Sequence, residues 1–220
     1  TTMFQPEVAP APDGIDLRCC PVEVLLASGV SGVRMVAADP PWQYEQTAVR
    51  GNAADVYTCP SMASIVDTLD LAFDCCLPDA YMLCWATWPM LVDFLQEMQR
   101  SRWRYLSGGS WHKTGGLGIG FHFRGDSEPF LLFAKGHPRP VKAMSNAFAS
   151  PRTRHSEKPV DFWVRALEAM TQPGDLVLSV YSGMCPEARA AKITGRRLVG
   201  AEIDPERHRA AMGLLAGGKK

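Results

Sequence analysis

A chain of 220 residues with 46% hydrophobic and 21% charged residues has the composition of one globular domain, large enough to fold around its own core. Its 23 basic and 23 acidic residues cancel, so any nucleic-acid binding must rest on a local basic patch and not on a global field. No apolar run approaches the roughly 20 residues of a membrane helix, and the N-terminal stretch lacks a basic-then-apolar signal pattern. Seven cysteines without CxxC or zinc spacing read as reduced thiols, so the expectation is a soluble cytoplasmic protein with no bound metal.

In chain order, the Pro/Ala-rich residues 1–15 read as a loose arm. Asp16-Leu17-Arg18 leads into an amphipathic segment with Val22, Leu25 and Leu26, where Asp16 could act as a helix cap. Gly29 and Gly32 turn the chain into a short apolar strand, Val33 to Ala38. This strand ends abruptly in Asp39-Pro40-Pro41-Trp42. Prolines cannot continue a strand ladder, so they fix an acid, two carbonyls and an aromatic ring at a strand's C-terminal end. In open α/β sheets that is where ligands bind. The ring could stack on a planar base while the acceptors hold its exocyclic amino group.

Residues 43–58 are polar and aperiodic, a loop carrying Arg50 beside this candidate base site. Pro60-Ser61 opens a predicted helix, Ala80 to Ala86 a buried strand, and Pro89 a further helix. Alternating strands and helices predict a mainly parallel sheet. Arg104 to Lys113 and Pro129 to Lys135 read as strands pairing in an antiparallel hairpin at the sheet edge. The glycine-rich run between them fits no phosphate-binding motif. Arg124 follows that run. Arg139, Lys142, Arg152 and Arg154 form the candidate basic patch, with an ordinary solvated loop as the alternative. Ser156 is expected to cap the next helix.

Leu176 to Tyr181 is a further strand, followed by the turn Ser182-Gly183, a helix from Pro186, and a strand from Arg197 to Ile203. Glu202 and Asp204 lie about 20 residues past the turn. That is the general recipe for an adenosine site, the acid taking the ribose hydroxyls.

Three of these strings together resemble one family. Asp39-Pro40-Pro41-Trp42, His155-Ser156-Glu157-Lys158-Pro159 and Gly200-Ala201-Glu202-Ile203-Asp204 resemble the motifs of β-group adenine-N6 methyltransferases, which include the MT-A70 proteins. The resemblance covers residues 16–215, read as one domain, with the target-amino motif before the donor motif. It implies an α/β, Rossmann-like S-adenosylmethionine-dependent methyltransferase fold, mostly parallel with an antiparallel edge strand and about seven strands. It also implies methyl transfer from S-adenosyl-L-methionine to adenine in DNA, with Asp39, Pro40, Pro41 and Trp42 as catalytic residues. On the donor it would place Asp16, Leu17, Lys113, Ser156, Lys158, Ser179, Tyr181, Gly183, Glu202 and Asp204, and on nucleic acid Arg50, Arg124 and the basic patch.

One stretch departs from the family. Where relatives show Asp-Pro-Phe-x-Gly-x-Gly, this chain reads Ser179-Val180-Tyr181-Ser182-Gly183-Met184-Cys185. Only Tyr181 and Gly183 fit, so restoring an acid at 179 is expected to strengthen donor binding. Two alternatives stay open: a catalytically impaired relative that binds nucleic acid or a partner, and an enzyme acting on RNA. A homodimer also stays open.

Overall fold

The structure is a computed structural model and describes residues 14–42, 60–116, 118, 122–151 and 157–217. Among these residues eight strands form one sheet: β1 (Ile15–Cys19), β2 (Val33–Ala38), β3 (Cys76–Trp85), β4 (Arg104–Thr114), β5 (Ser127–Lys135), β6 (Ala147–Pro151), β7 (Leu176–Val180) and β8 (Arg197–Glu202). Their order is β1-β8-β7-β2-β3-β5-β4-β6. All neighbours are parallel except those of β5, which runs antiparallel to both β3 and β4. The fold class is as expected. The antiparallel strand is not the edge, however, because β4 and β6 lie outside it. Two short strands account for the difference from the sequence reading. Ile15–Cys19 and Ala147–Pro151 are five residues each, too short to show a period of their own.

Among the described residues six α-helices cover the sheet: α1 (Val22–Ala27), α2 (Met62–Asp74), α3 (Leu91–Glu97), α4 (Val160–Met170), α5 (Pro186–Thr194) and α6 (Pro205–Leu215). The first three pack on one face through Leu25, Leu26, Ile65, Leu69 and Phe94. The last three pack on the other through Phe162, Trp163, Leu167, Ala188 and Ala191. Helix starts follow their local chemistry. Ser61 accepts the N–H of Ser64 ahead of α2, and Asp204 accepts those of Glu206 and Arg207 ahead of α6. Pro159, with no side-chain cap bond, precedes α4, so the expected Ser156 cap does not describe this helix start. Among the described residues no helix is long and apolar enough to cross a membrane.

The chain leaves β2 toward β3 on one side and enters β7 from the other, next to β8. The sheet order therefore reverses between β2 and β7. These two strands pair in parallel, with Ala37 opposite Ser179 and Ala38 opposite Val180. Their C-terminal ends, the Asp39 and Tyr181 turns, thus stand side by side at the switch point. That is where a crevice forms in a doubly wound sheet.

Candidate active site

A cleft of about 760 Å³ opens at that switch point. Asp39, Pro40, Pro41 and Trp42 form one wall, and Tyr181, Ser182 and Gly183 form another. The proline pair does what its chemistry requires: β2 stops at Ala38, and the chain turns with Asp39 at the strand tip.

Asp39 is held by an ion pair that sequence reading did not anticipate. Lys158 Nζ donates to Asp39 Oδ2 at 2.8 Å and lies 3.3 Å from Glu128 Oε2. Glu128 in turn pairs with Lys113. Four charges therefore alternate across the floor, contributed by β2, β5, β4 and the entry to α4. Burial works against a charged Lys158, but the two flanking carboxylates outweigh it and raise its pKa. Trp85 adds its ring face, 5.3 Å from the ammonium. Burial pushes the Asp39 carboxyl up while Lys158 pulls the other way. Burial pushes Glu128 in the same direction, but its two lysines prevail and lower it. The Asp39 side chain remains 38% exposed. Its Oδ1 has no hydrogen-bond partner among the described residues, so it is an oriented acceptor facing the cleft.

The turn after β7 is built from left-handed backbone. Tyr181 (φ 61°), Gly183 (φ 55°) and Cys185 (φ 47°) all lie in that region, which two of the three side chains disfavour. Glu202 pins the turn by accepting the Gly183 N–H at 2.6 Å and the Asp204 N–H at 2.9 Å. Gly200 permits this packing, since a Cβ there would stand 2.8 Å from Ser182 Oγ. Burial raises the Tyr181 phenol to about 12, so it stays protonated.

Several expected positions need correction. Trp42 lines the cleft, but its ring is only 5% exposed and packs edge-on against Phe94 at 5.0 Å. It is a core residue beneath the wall, not a free stacking platform. Asp16 sits in mid-β1 with its carboxylate taken by Arg18, and Leu17 is buried in the core; neither lines the cleft. The Asp16 helix-cap alternative fails for the same reason. Cys20 to Glu23, just beyond them, do line it. Lys113 and Lys158 are bound within the charge chain, and of the two only Lys158 lines the cleft. Asp204 lines the cleft but spends Oδ1 on capping α6.

The basic patch is divided. β5 runs downward, so Arg139 and Lys142 follow its lower end, at the foot of the sheet and away from the cleft. Lys142 is also paired with Glu168 at 2.7 Å. Arg124 is exposed and precedes the upper end of β5, on the cleft side. Arg50, Arg152, Arg154 and Ser156 lie outside the described residues, as do residues 1–13 of the expected arm.

Ser179 is fully buried below the cleft surface. The residue that sequence reasoning missed is Glu187, in the first turn of α5. It lines the cleft, is 5% exposed, and accepts a hydrogen bond from Ser179 Oγ. Burial pushes its carboxyl up to about 7. Three further polar atoms of the lining, Trp42 Nε1, Thr87 Oγ1 and Trp163 Nε1, are buried without a partner among the described residues. Such atoms are costly to leave unbonded, and these three lie beneath the cleft surface, closed off from solvent.

No protein-family model matches the chain, and no curated protein does. Solved structures match over nearly its whole length. The M1.HpyAVI complex with SAM aligns over 91% of this chain and 99% of its own, with TM-score 0.71 and 15% identity. TTHA0409, a proposed DNA modification methylase from Thermus thermophilus, was solved with S-adenosyl-L-methionine. It aligns over 92% of this chain and 93% of its own, with TM-score 0.71 and 16% identity. The cytosine-N4-specific PvuII DNA methyltransferase aligns over 90% of this chain and 85% of its own, with TM-score 0.72 and 13% identity. The chain has the Rossmann-like fold of these proteins.

Proposed function

We propose that this chain is an S-adenosylmethionine-dependent amino-methyltransferase acting on adenine N6 in DNA. The observation that carries this reading is the Asp39 carboxylate, fixed by Lys158 at the tip of β2, facing the left-handed donor turn across one cleft. DNA methylation is the activity named for PvuII, and S-adenosylmethionine is the ligand held by two structures of the same fold. Adenine is favoured over cytosine by the Asp-Pro-Pro-Trp string, which resembles that of the adenine-N6 enzymes.

The residues present fit the donor. The Tyr181–Gly183 turn and Glu202 would hold it, in a cleft that Glu187 and Asp204 also line with carboxyl groups suited to its cationic and hydroxyl groups. When bound, S-adenosylmethionine supplies an electrophilic methyl group.

The chain's own residues do the rest. The free oxygen of Asp39 would accept a hydrogen bond from the target's exocyclic amino group, and the Pro40 carbonyl would accept a second. These bonds hold the amino group in one orientation and favour a pyramidal nitrogen, whose lone pair is less delocalised into the ring. As positive charge develops on that nitrogen, the adjacent carboxylate stabilises it. Burial raises the Asp39 carboxyl; Lys158 opposes that rise and holds the group stationary, so little reorganisation accompanies the step. In a duplex the adenine must leave the stack, at a cost of a few kcal/mol.

The reading as a binding module without chemistry rested on the missing acid at 179. A carboxyl still stands over that position, contributed by Glu187. The proposal is tested with tritiated S-adenosylmethionine and DNA: label recovered in N6-methyladenine supports it, and an Asp39→Ala variant should be inactive.

A further inference from the structure

The cleft holds a buried acid that the proposed chemistry leaves unused. Glu187 occupies the first turn of α5, just after the left-handed Cys185, and this bend turns its side chain back toward the end of β7. There it accepts the Ser179 hydroxyl, which also lies 2.8 Å from Ser182 Oγ. With 5% exposure, it is a carboxyl removed from bulk water.

It has no cation. Lys158 is held between Asp39 and Glu128, and Arg189, two residues along the same helix, pairs with Glu157. No ion pair to Glu187 exists among the described residues. A buried carboxylate without a positive partner is unfavourable, and burial, reinforced by the Asp39 charge, accordingly pushes Glu187 up to about 7 despite the Ser179 bond. Since none of the described residues supplies a cationic partner and the group lines the cleft, its position suits a cationic group of a ligand. A metal ion is a poor candidate, because no group of three ligating side chains occurs among the described residues.

We propose that Glu187 anchors the ammonium group of the donor's amino-acid end. It would do so in place of the strand-end acid of related sequences, whose position Ser179 occupies. The proposal rests on S-adenosylmethionine being the donor. That molecule carries two positive groups, and only one of them donates hydrogen bonds. The sulfonium has no hydrogen to give, whereas the ammonium has three. A carboxylate already oriented by Ser179 is therefore matched to the ammonium, and an ion pair at this depth also favours the ionised form of Glu187.

The test is calorimetric titration of the full chain at pH 8 with two probes. One is S-adenosylmethionine. The other is 5′-methylthioadenosine, which shares the adenosine and sulfur but lacks the amino-acid end. Glu187→Gln is nearly isosteric. It should weaken S-adenosylmethionine about tenfold or more, the difference between a charge-assisted and a neutral hydrogen bond, while 5′-methylthioadenosine changes less than about twofold. If Glu187→Gln binds S-adenosylmethionine as tightly as wild type, the assignment is overturned. Equal losses for both probes overturn it too, because they show a structural role. If wild type binds neither probe, the donor reading itself fails and this proposal falls with it.

Discussion

Lys158 Nζ stands 2.8 Å from Asp39 Oδ2, joining residues 119 apart in sequence at the floor of the cleft. The pair is central to the electrostatics of the site, since Lys158 also contacts Glu128. Removing the ammonium with Lys158→Met leaves two neighbouring carboxylates without their shared cation. Breaking a buried pair costs about 3–5 kcal/mol, and the low end, about 3, applies here because Asp39 keeps some solvent. Urea denaturation should show that loss, and adding Asp39→Asn should restore part of it. A Lys158→Met protein as stable as wild type would show that the pair is incidental.

Ser179→Asp should weaken the protein, contrary to what the sequence alone suggests. The new carboxylate would be fully buried and would face Glu187 in place of the hydroxyl that now donates to it. Two adjacent buried carboxyls cannot both ionise cheaply. A lower melting temperature and no gain in S-adenosylmethionine affinity are expected. Tighter donor binding in this variant would instead restore the view that residue 179 lies on the cleft surface.

For Trp42 the expected loss is of stability. Its ring packs on Phe94 within the core, so Trp42→Ala should cost about 3–5 kcal/mol, while Trp42→Phe keeps most of the contact. Thermal unfolding separates this from stacking. If the Ala variant melts like wild type but loses affinity for DNA, the ring serves the base.

Glu187 also sets a pH dependence. Its folded-state pKa, pushed up by burial to about 7, lies above the ordinary 4.5, so the folded state holds this proton more tightly than the unfolded chain. The unliganded protein should therefore lose stability as pH rises from about 4.5 to about 7, by at most roughly 3 kcal/mol from this group. Glu187→Gln cannot titrate, so the stability difference between it and wild type should change across that window. A difference independent of pH would contradict the raised pKa.

What the sequence made legible was local. A strand ended by Asp39-Pro40-Pro41 is readable because proline acts on its own backbone, and the mainly parallel sheet followed from the strand–helix alternation. Lys158 was visible as part of a string, but its partners come from β2 and β5, and such convergence leaves no trace in spacing. Glu187 was hidden for another reason. An acid in the first turn of a helix is commonplace, and only its burial beside Cys185 and Ala188 sets it apart. That signal was weakly present in the small residues flanking it. Arg139 and Lys142 were grouped with Arg152 and Arg154 because they are close in sequence. The direction of β5, a property of the whole sheet, sends them to its opposite end.

The central claim is that Asp39 presents an exocyclic amino group to a methyl donor in this cleft. The most direct measurement is incubation of wild type and Asp39→Ala with tritiated S-adenosylmethionine and DNA, followed by hydrolysis and separation of the bases. Label in N6-methyladenine from wild type, reduced below a tenth in Asp39→Ala with the fold retained, is the predicted result. Label found only in cytosine, or incorporation by Asp39→Ala equal to that of wild type, would contradict it.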